Sequence, residues 1–114
     1  MHQKILLLFV VCLVLAGCVD IASVVIRTPD FHHKPDGVYE GQYTLGPVKV
    51  RLTVSLKNGN IDSINLLQHR KGLGKKAEVV LDRVLEQQTL DVEVVSGATG
   101  SSKALLKALE LALE

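Results

Sequence analysis

A strict alternation of apolar and polar residues over Val48–Lys57, followed at once by Asn58-Gly59, constrains the fold more than any other feature of this chain. The apolar members are Val48, Val50, Leu52, Val54 and Leu56. An alternation of period two predicts a strand with one buried face. The Asn-Gly pair tolerates positive φ at both positions, which favours a tight hairpin turn into a second strand over residues 61–68.

A further strand and two helices complete the predicted fold. Residues 38–45 alternate loosely and end at Gly46-Pro47, so the three strands form an antiparallel meander. Two groups of apolar residues recur at helical spacing: Ala77, Val80, Leu81, Val84 and Leu85, then Leu105, Ala108, Leu109 and Ala112. The second helix is predicted over residues 102–113, and Val94 and Val95 suit a short fourth strand or an extended segment. We therefore predict an α+β domain, with an antiparallel sheet of three to four strands packed on one face by two amphipathic helices.

The N-terminus has the pattern of an export signal. Lys4 precedes an apolar run over residues 5–15, which is the length of a signal-peptide hydrophobic region and short for a membrane span. The run ends in Leu15-Ala16-Gly17-Cys18, which resembles the lipobox of bacterial lipoproteins. An uncleaved anchor with an incidental Cys is the weaker interpretation. We predict that residues 1–17 are removed and that Cys18 carries acyl chains such as palmitate, since stable anchoring takes more than one chain.

Removal of this segment leaves about 100 residues, which is enough for one small domain. The removed segment contains one basic side chain and no acidic one, so the remaining basic and acidic residues are equal in number. A balanced charge argues against a nucleic-acid partner, which needs a basic face. Cys12 leaves with the signal and Cys18 is acylated, so no thiol is left for a disulfide or a Cys-ligated metal. Any redox role must therefore use a bound cofactor.

Two segments offer weaker signals. Residues 18–35 are predicted to form a tether, although their apolar residues can pack locally, and the adjacent His32 and His33 are more consistent with a solvated tether than with a metal site. The loop Gly72-Leu73-Gly74 is flanked by Lys71, Lys75 and Lys76. It lacks the length and the Lys-Ser/Thr ending of a phosphate-binding P-loop, so an ordinary flexible loop is predicted.

The run Ser96-Gly97-Ala98-Thr99-Gly100-Ser101-Ser102 places small and hydroxyl-bearing residues just before the last predicted helix. The first N–H groups of a helix lack partners and lie at the positive end of its dipole, so they attract anions. Gly97 and Ala98 leave room for a phosphate to approach the backbone. Ser and Thr before a helix are also ordinary capping residues. Helix-start chemistry alone leaves both interpretations open and favours capping.

The same run resembles the flavinylation motif of FMN-binding domains. These domains occur in subunits of sodium-translocating NADH:quinone reductases and of related ferredoxin-oxidising membrane complexes. The similarity extends over residues 36–113 and includes the segments 36–41 and 58–61, as well as His69, Gly72, Gly74 and Ala77. It implies an FMN-binding domain over residues 36–114, with the FMN phosphate esterified to Thr99. The implied surrounding residues are Ser96, Gly97, Ala98, Ser101, Ser102, His69 and Gly74.

The resemblance also implies a partner enzyme. A flavin transferase of this family takes FMN from FAD with the help of magnesium. It would recognise Glu93, which stands where the family usually has Asp, three residues before Ser96. Thr99 has no neighbouring His or Lys in the sequence to activate its weakly nucleophilic hydroxyl, so another protein must attach the flavin. The resemblance also adds the alternative that His69 and the loop Gly72-Leu73-Gly74 line the flavin site. For His69, a solvated or structural role stays open beside this one.

These inferences together predict an electron carrier outside the cytoplasmic membrane, facing the periplasm or the cell exterior, and they leave open whether an inner or an outer membrane holds it. It would be anchored by lipid at Cys18 and would exchange electrons with membrane or extracytoplasmic proteins. A stand-alone enzyme is not predicted. Two alternatives stay open: a non-catalytic structural or FMN-binding lipoprotein, and a subunit of a flavin-dependent reductase complex.

Overall fold

The computed structural model describes residues 24–70 and 74–114, without the side chains of His69 and Arg70. The predicted signal peptide, Cys18 and Gly72 lie outside these residues. Three strands, β1 (Gly37–Leu45), β2 (Val48–Lys57) and β3 (Asn60–Arg70), form an antiparallel sheet in the order β1-β2-β3. Three helical segments follow, α1 (Gly74–Ala77), α2 (Val79–Gln87) and α3 (Thr99–Leu113). The predicted α+β fold is confirmed, with three strands in a meander.

Strand β2 has the predicted buried face. Its five apolar residues are buried, and the polar residues between them lie on the other face of the sheet. The turn into β3 places Asn58 at φ 53° and Gly59 at φ 77°, the left-handed conformation that an Asn-Gly hairpin requires. Asp62 and Leu67 are extra residues in β3, where the pairing with β2 shifts by one position. The hairpin prediction is therefore confirmed, and β3 extends slightly beyond the predicted range at both ends.

The first predicted helix is divided at Glu78 into α1 and α2. The N–H of Leu81 donates to the carbonyl of Glu78 at 3.0 Å, three residues back, which is a tighter turn than an α-helix makes. At its other end α2 is fixed to the sheet by Gln88, whose side chain accepts the N–H of Ile61 at 2.8 Å and donates to the Ile61 carbonyl at 3.0 Å. These contacts hold α2 against β3.

Helix α3 packs across β1 and β2 and supplies much of the hydrophobic core. Its fully buried leucines, with the apolar face of β2, form the centre of the domain: Leu105, Leu106, Leu109, Leu113, Val50, Leu52 and Val54. The helix also buries Glu110, which is only 4% exposed and is paired with Lys107. Packing of this apolar face therefore fixes the orientation of α3, and with it the position of the Ser96–Ser102 run at the start of the helix.

The segment before β1 corrects the tether prediction in its described part. Phe31 is 1% exposed and belongs to the core. The backbone N–H of Arg27 donates to the Glu110 carboxylate at 2.5 Å, and the hydroxyl of Thr28 accepts the N–H of Leu90 at 3.1 Å. His32 lies within hydrogen-bond distance of the Gly59 carbonyl, at 2.9 Å. Residues 24–35 therefore pack onto the domain, because their apolar side chains find partners far away in the sequence.

Residues 91–95 form no strand. The prediction of a fourth strand at Val94 and Val95 is therefore wrong. Both side chains are partly buried and pack against the core. The segment leads from the end of α2 to the turn before α3.

Candidate functional site

The Ser-Gly-Ala-Thr run ends at the first residue of α3. The helix begins at Thr99, three residues earlier than predicted, so Ser101 and Ser102 lie inside its first turn. Ala98 occupies the capping position, with φ −136° and ψ 36°, and no side chain caps the helix there. Capping of this helix by a Ser or Thr hydroxyl is therefore not the explanation of the motif.

Ser102 stabilises the turn that leads into α3. Its side chain is fully buried, and its hydroxyl accepts the N–H of Val95 at 3.2 Å. The backbone of the same turn is closed by a bond from the Ala98 N–H to the Val95 carbonyl at 3.0 Å. Ser101 is also buried, at 6% exposure. These two serines thus lie inside the domain, whereas Ser96, Gly97 and Thr99 are exposed.

Gly97 leaves the exposed side of the turn without a side chain. Its φ of 81° lies in the left-handed region, which a residue with a side chain seldom adopts. A Cβ placed at Gly97 would come within 3.4 Å of the ammonium nitrogen of Lys76, which belongs to α1. Two segments that are far apart in sequence therefore meet here, and a cation lies against the backbone of the motif.

The charges around this turn favour an anion. The first turn of α3 contains no acidic residue that would offset the positive end of the helix dipole. Glu93 is exposed, and its backbone carbonyl accepts a hydrogen bond from the guanidinium of Arg83 at 2.6 Å. Arg83 therefore holds the backbone of the residue predicted to be recognised by the transferase.

The remaining predicted site residues lie on β3 and α1. His69 is in β3 opposite Val50 of β2, one residue before the end of the strand. Gly74 is the first residue of α1, which packs against α3 and carries Lys76. The His69 side chain and Gly72 lie outside the described residues. No individual role was predicted for Lys76, and the cluster of lysines beside Gly72-Leu73-Gly74 is the sequence signal that could have indicated one.

Open cavities lie elsewhere on the surface of the described residues. One of about 530 Å³ is lined by Arg27, Tyr43, Lys107 and Glu110 among others, at the far end of α3 from Thr99. Another, of about 430 Å³, lies over β1 and β2 around Gln42 and Lys49. Within residues 24–70 and 74–114, no group of three or more His, Cys, Asp or Glu side chains could hold a metal ion. In the same part of the chain, no helix combines the length and the apolar character needed to cross a membrane.

The family of the chain follows from comparison with known proteins. The sequence profile of the FMN-binding domain matches residues 45–114, which is more than half of the chain and includes β2, β3, α1, α2 and α3. The protein belongs to the FMN-binding domain family and is a flavin-binding protein. It is also similar to an uncharacterized protein of Treponema pallidum (strain Nichols), with 32% identity over 82 residues. That match covers 69% of this chain and 23% of the Treponema protein, so the chain spans under a quarter of its relative's length.

The residues at the start of α3 fit the phosphate end of FMN. Thr99 is exposed. Gly97 has no side chain, so its backbone is open on the side where the Lys76 ammonium group lies. Donors and positive charge without a competing acidic residue are what a phosphate group needs. The turn from Ser96 to Thr99 is therefore the candidate site for the cofactor of the family.

Proposed function

We propose that the protein is an electron carrier that holds FMN covalently through a phosphoester on Thr99. We further propose that it works outside the cytoplasmic membrane, as a lipoprotein anchored through Cys18. The observation that supports Thr99 as the attachment site is its position in the structure. It ends the Ser-Gly-Ala-Thr run, begins α3 and is exposed, in a chain that belongs to the FMN-binding domain family.

Exposure of Thr99 suits attachment by another protein. A threonine hydroxyl is a weak nucleophile without an activating base. In the proposed reaction a flavin transferase uses FAD: a bond forms between Thr99 Oγ and the phosphorus next to the flavin, the pyrophosphate bond breaks, and AMP leaves. The hydroxyl proton passes to a base of the transferase. An exposed first residue of a helix is accessible to such an enzyme.

This chain holds and positions the cofactor, and FMN when bound supplies reversible one- and two-electron transfer. The left-handed Gly97 and the first N–H groups of α3 would receive the phosphate. The covalent bond keeps the flavin at a fixed effective concentration, which matters outside the cytoplasm, where a released flavin is not recovered.

The aromatic side chains favour a carrier with an exposed flavin ring. Phe31 is buried in the core, and the Tyr39 hydroxyl donates to the Pro35 carbonyl at 2.6 Å. Tyr43 lines the cavity beside Glu110, at the other end of α3. These three aromatic residues are thus buried, hydrogen-bonded or placed at the other end of α3, and an exposed ring suits electron exchange with proteins better than catalysis on a small substrate.

The lipid anchor rests on the N-terminal sequence. The apolar run over residues 5–15 and the lipobox-like Leu15-Ala16-Gly17-Cys18 agree in length and position. Anchoring would keep the carrier beside the membrane proteins with which it exchanges electrons. The partners of the proposed carrier are therefore a flavin transferase, membrane lipid and redox proteins at the same surface.

Intact mass spectrometry under denaturing conditions tests the proposal. The protein is produced with and without its flavin transferase, and the expected mass increase is that of one FMN less one water, located by peptide mapping to residues 96–102. An unchanged mass in the presence of an active transferase would overturn the covalent carrier. Flavin that is bound but lost on denaturation would favour a non-covalent FMN-binding lipoprotein instead.

A further inference from the structure

We infer that Lys76 is a ligand of the flavin phosphate, pairing its ammonium with the phosphoester anion on Thr99. This inference rests on the proposed function and assigns a role to a residue outside the Ser-Gly-Ala-Thr run. The inference is based on the short distance between the Lys76 ammonium nitrogen and Gly97: a Cβ placed at Gly97 would lie 3.4 Å from that nitrogen. Gly97 is two residues before Thr99, so the cation lies beside the turn that presents the hydroxyl.

The position of Lys76 is set by the packing of α1. Ala77, the next residue, is fully buried, and α1 packs against α3. Lys76 is itself exposed, and its stem reaches from this buried point to the motif. The four-residue helix thus contributes Ala77 to the core and places an ammonium group at the turn.

The charge balance supports the same role. Among residues 24–70 and 74–114, no carboxylate lies within salt-bridge distance of Lys76. The first turn of α3 contains no acidic residue either. A phosphodiester carries one negative charge at neutral pH, so attachment of FMN would bring a matching anion to this cation. Charge-assisted hydrogen bonds of this kind are stronger than those between neutral groups.

Lys75 provides a matched control. It is an exposed lysine on the same short helix, but its side chain is not among the atoms within 4 Å of a Cβ at Gly97. Removal of either lysine changes the net charge by the same amount. A difference between the two variants therefore reports on position rather than on overall charge.

The experiment compares the urea midpoint of each protein with and without covalent flavin. We expect wild type, Lys76→Arg and Lys75→Ala to gain stability on loading, and the gain to shrink at high salt. Lys76→Ala is expected to lose most of the gain while its unloaded form unfolds like unloaded wild type. The phosphorus NMR resonance of the loaded protein should shift in Lys76→Ala and stay in place in Lys75→Ala. If loading is blocked in Lys76→Ala alone and restored in Lys76→Arg, that result also supports the phosphate contact.

Two negative outcomes are distinguishable. If wild type takes up no covalent flavin, the proposed function itself fails. If wild type is loaded but Lys76→Ala shows the same gain and the same phosphorus resonance, Lys76 is a solvated surface lysine and only the present inference is overturned.

Discussion

Gly41 of β1 lies directly against the backbone of Ala108 in α3. A Cβ at Gly41 would stand 2.0 Å from the Ala108 carbonyl oxygen and 2.8 Å from the Ala112 Cβ. The absence of a side chain at this one position therefore sets how closely α3 approaches the sheet. Because Thr99 is the first residue of the same helix, this contact also fixes where the candidate site lies.

Gly41→Ala should lower the free energy of unfolding by about 3 kcal/mol, the upper range for overpacking, because the added methyl meets backbone atoms that cannot rotate away. Urea denaturation measures the effect. The exposed neighbour Gln42→Ala serves as control and should unfold like wild type. Equal stability of Gly41→Ala and wild type would contradict the close approach of α3.

Phe31→Ala should lower the free energy of unfolding by about 3–5 kcal/mol, because a buried ring is replaced by a cavity. The expected loss distinguishes a packed segment from a solvated tether. His33→Ala, at a side chain that is 87% exposed, is the control two residues away. A Phe31→Ala protein with wild-type stability would restore the tether interpretation for residues 24–35.

Thr99→Ala should abolish covalent flavin and change the free energy of unfolding by only about 0.5 kcal/mol, as is usual for an exposed residue that caps nothing. In-gel flavin fluorescence after denaturation measures attachment. Thr99→Ser should keep part of the signal, because a primary hydroxyl remains. Thr44→Ala, an exposed threonine of β1, should be loaded like wild type. Fluorescence that persists in Thr99→Ala would remove this residue as the attachment site.

Glu93→Ala should slow flavin incorporation, and Glu93→Asp should leave it equal or faster, if the transferase recognises a carboxylate three residues before Ser96. The competing role is an exposed charge near the start of α3, which is worth about 0.3–1 kcal/mol and affects stability alone. Timed incorporation with melting temperatures in parallel separates the two. Asp91→Ala is the control, an exposed acidic residue two positions earlier. Equal rates in all of these proteins would exclude Glu93 from recognition.

Cys18→Ala should block lipid addition and leave an unprocessed precursor, because processing of a lipoprotein follows modification of its Cys. Metabolic labelling with a fatty acid and membrane fractionation measure both steps. Cys12→Ala removes the other cysteine and should be labelled and cleaved as before. A Cys18→Ala protein that is cleaved and fractionates like wild type would contradict the lipobox.

The features predicted correctly from the sequence are the local ones. The alternation in β2 and the Asn58-Gly59 turn depend on neighbouring residues, so they can be recognised without a structure. Gly100 has poor helix propensity, which favours a later helix start, but packing of the following leucines extends α3 back to Thr99. Phe31 was not assigned to the core, because its burial depends on contacts with residues that are distant in sequence. The proximity of Lys76 to Gly97 could not be predicted for the same reason.

The attachment of the N-terminal segment at Glu110 limits the reach of the proposed carrier. Glu110 lies eleven positions after Thr99 in α3, which corresponds to about 16 Å of rigid helix. Only residues 19–23 lie between Cys18 and Val24, and a chain of that length spans about 20 Å at most. With lipid on Cys18, Arg27 would stay near the bilayer. The flavin would then be confined to a layer within a few tens of ångströms of the membrane surface. Electron donors and acceptors would have to present their own cofactors within that layer. The packed segment would therefore select partners by the distance of their cofactors from the membrane surface.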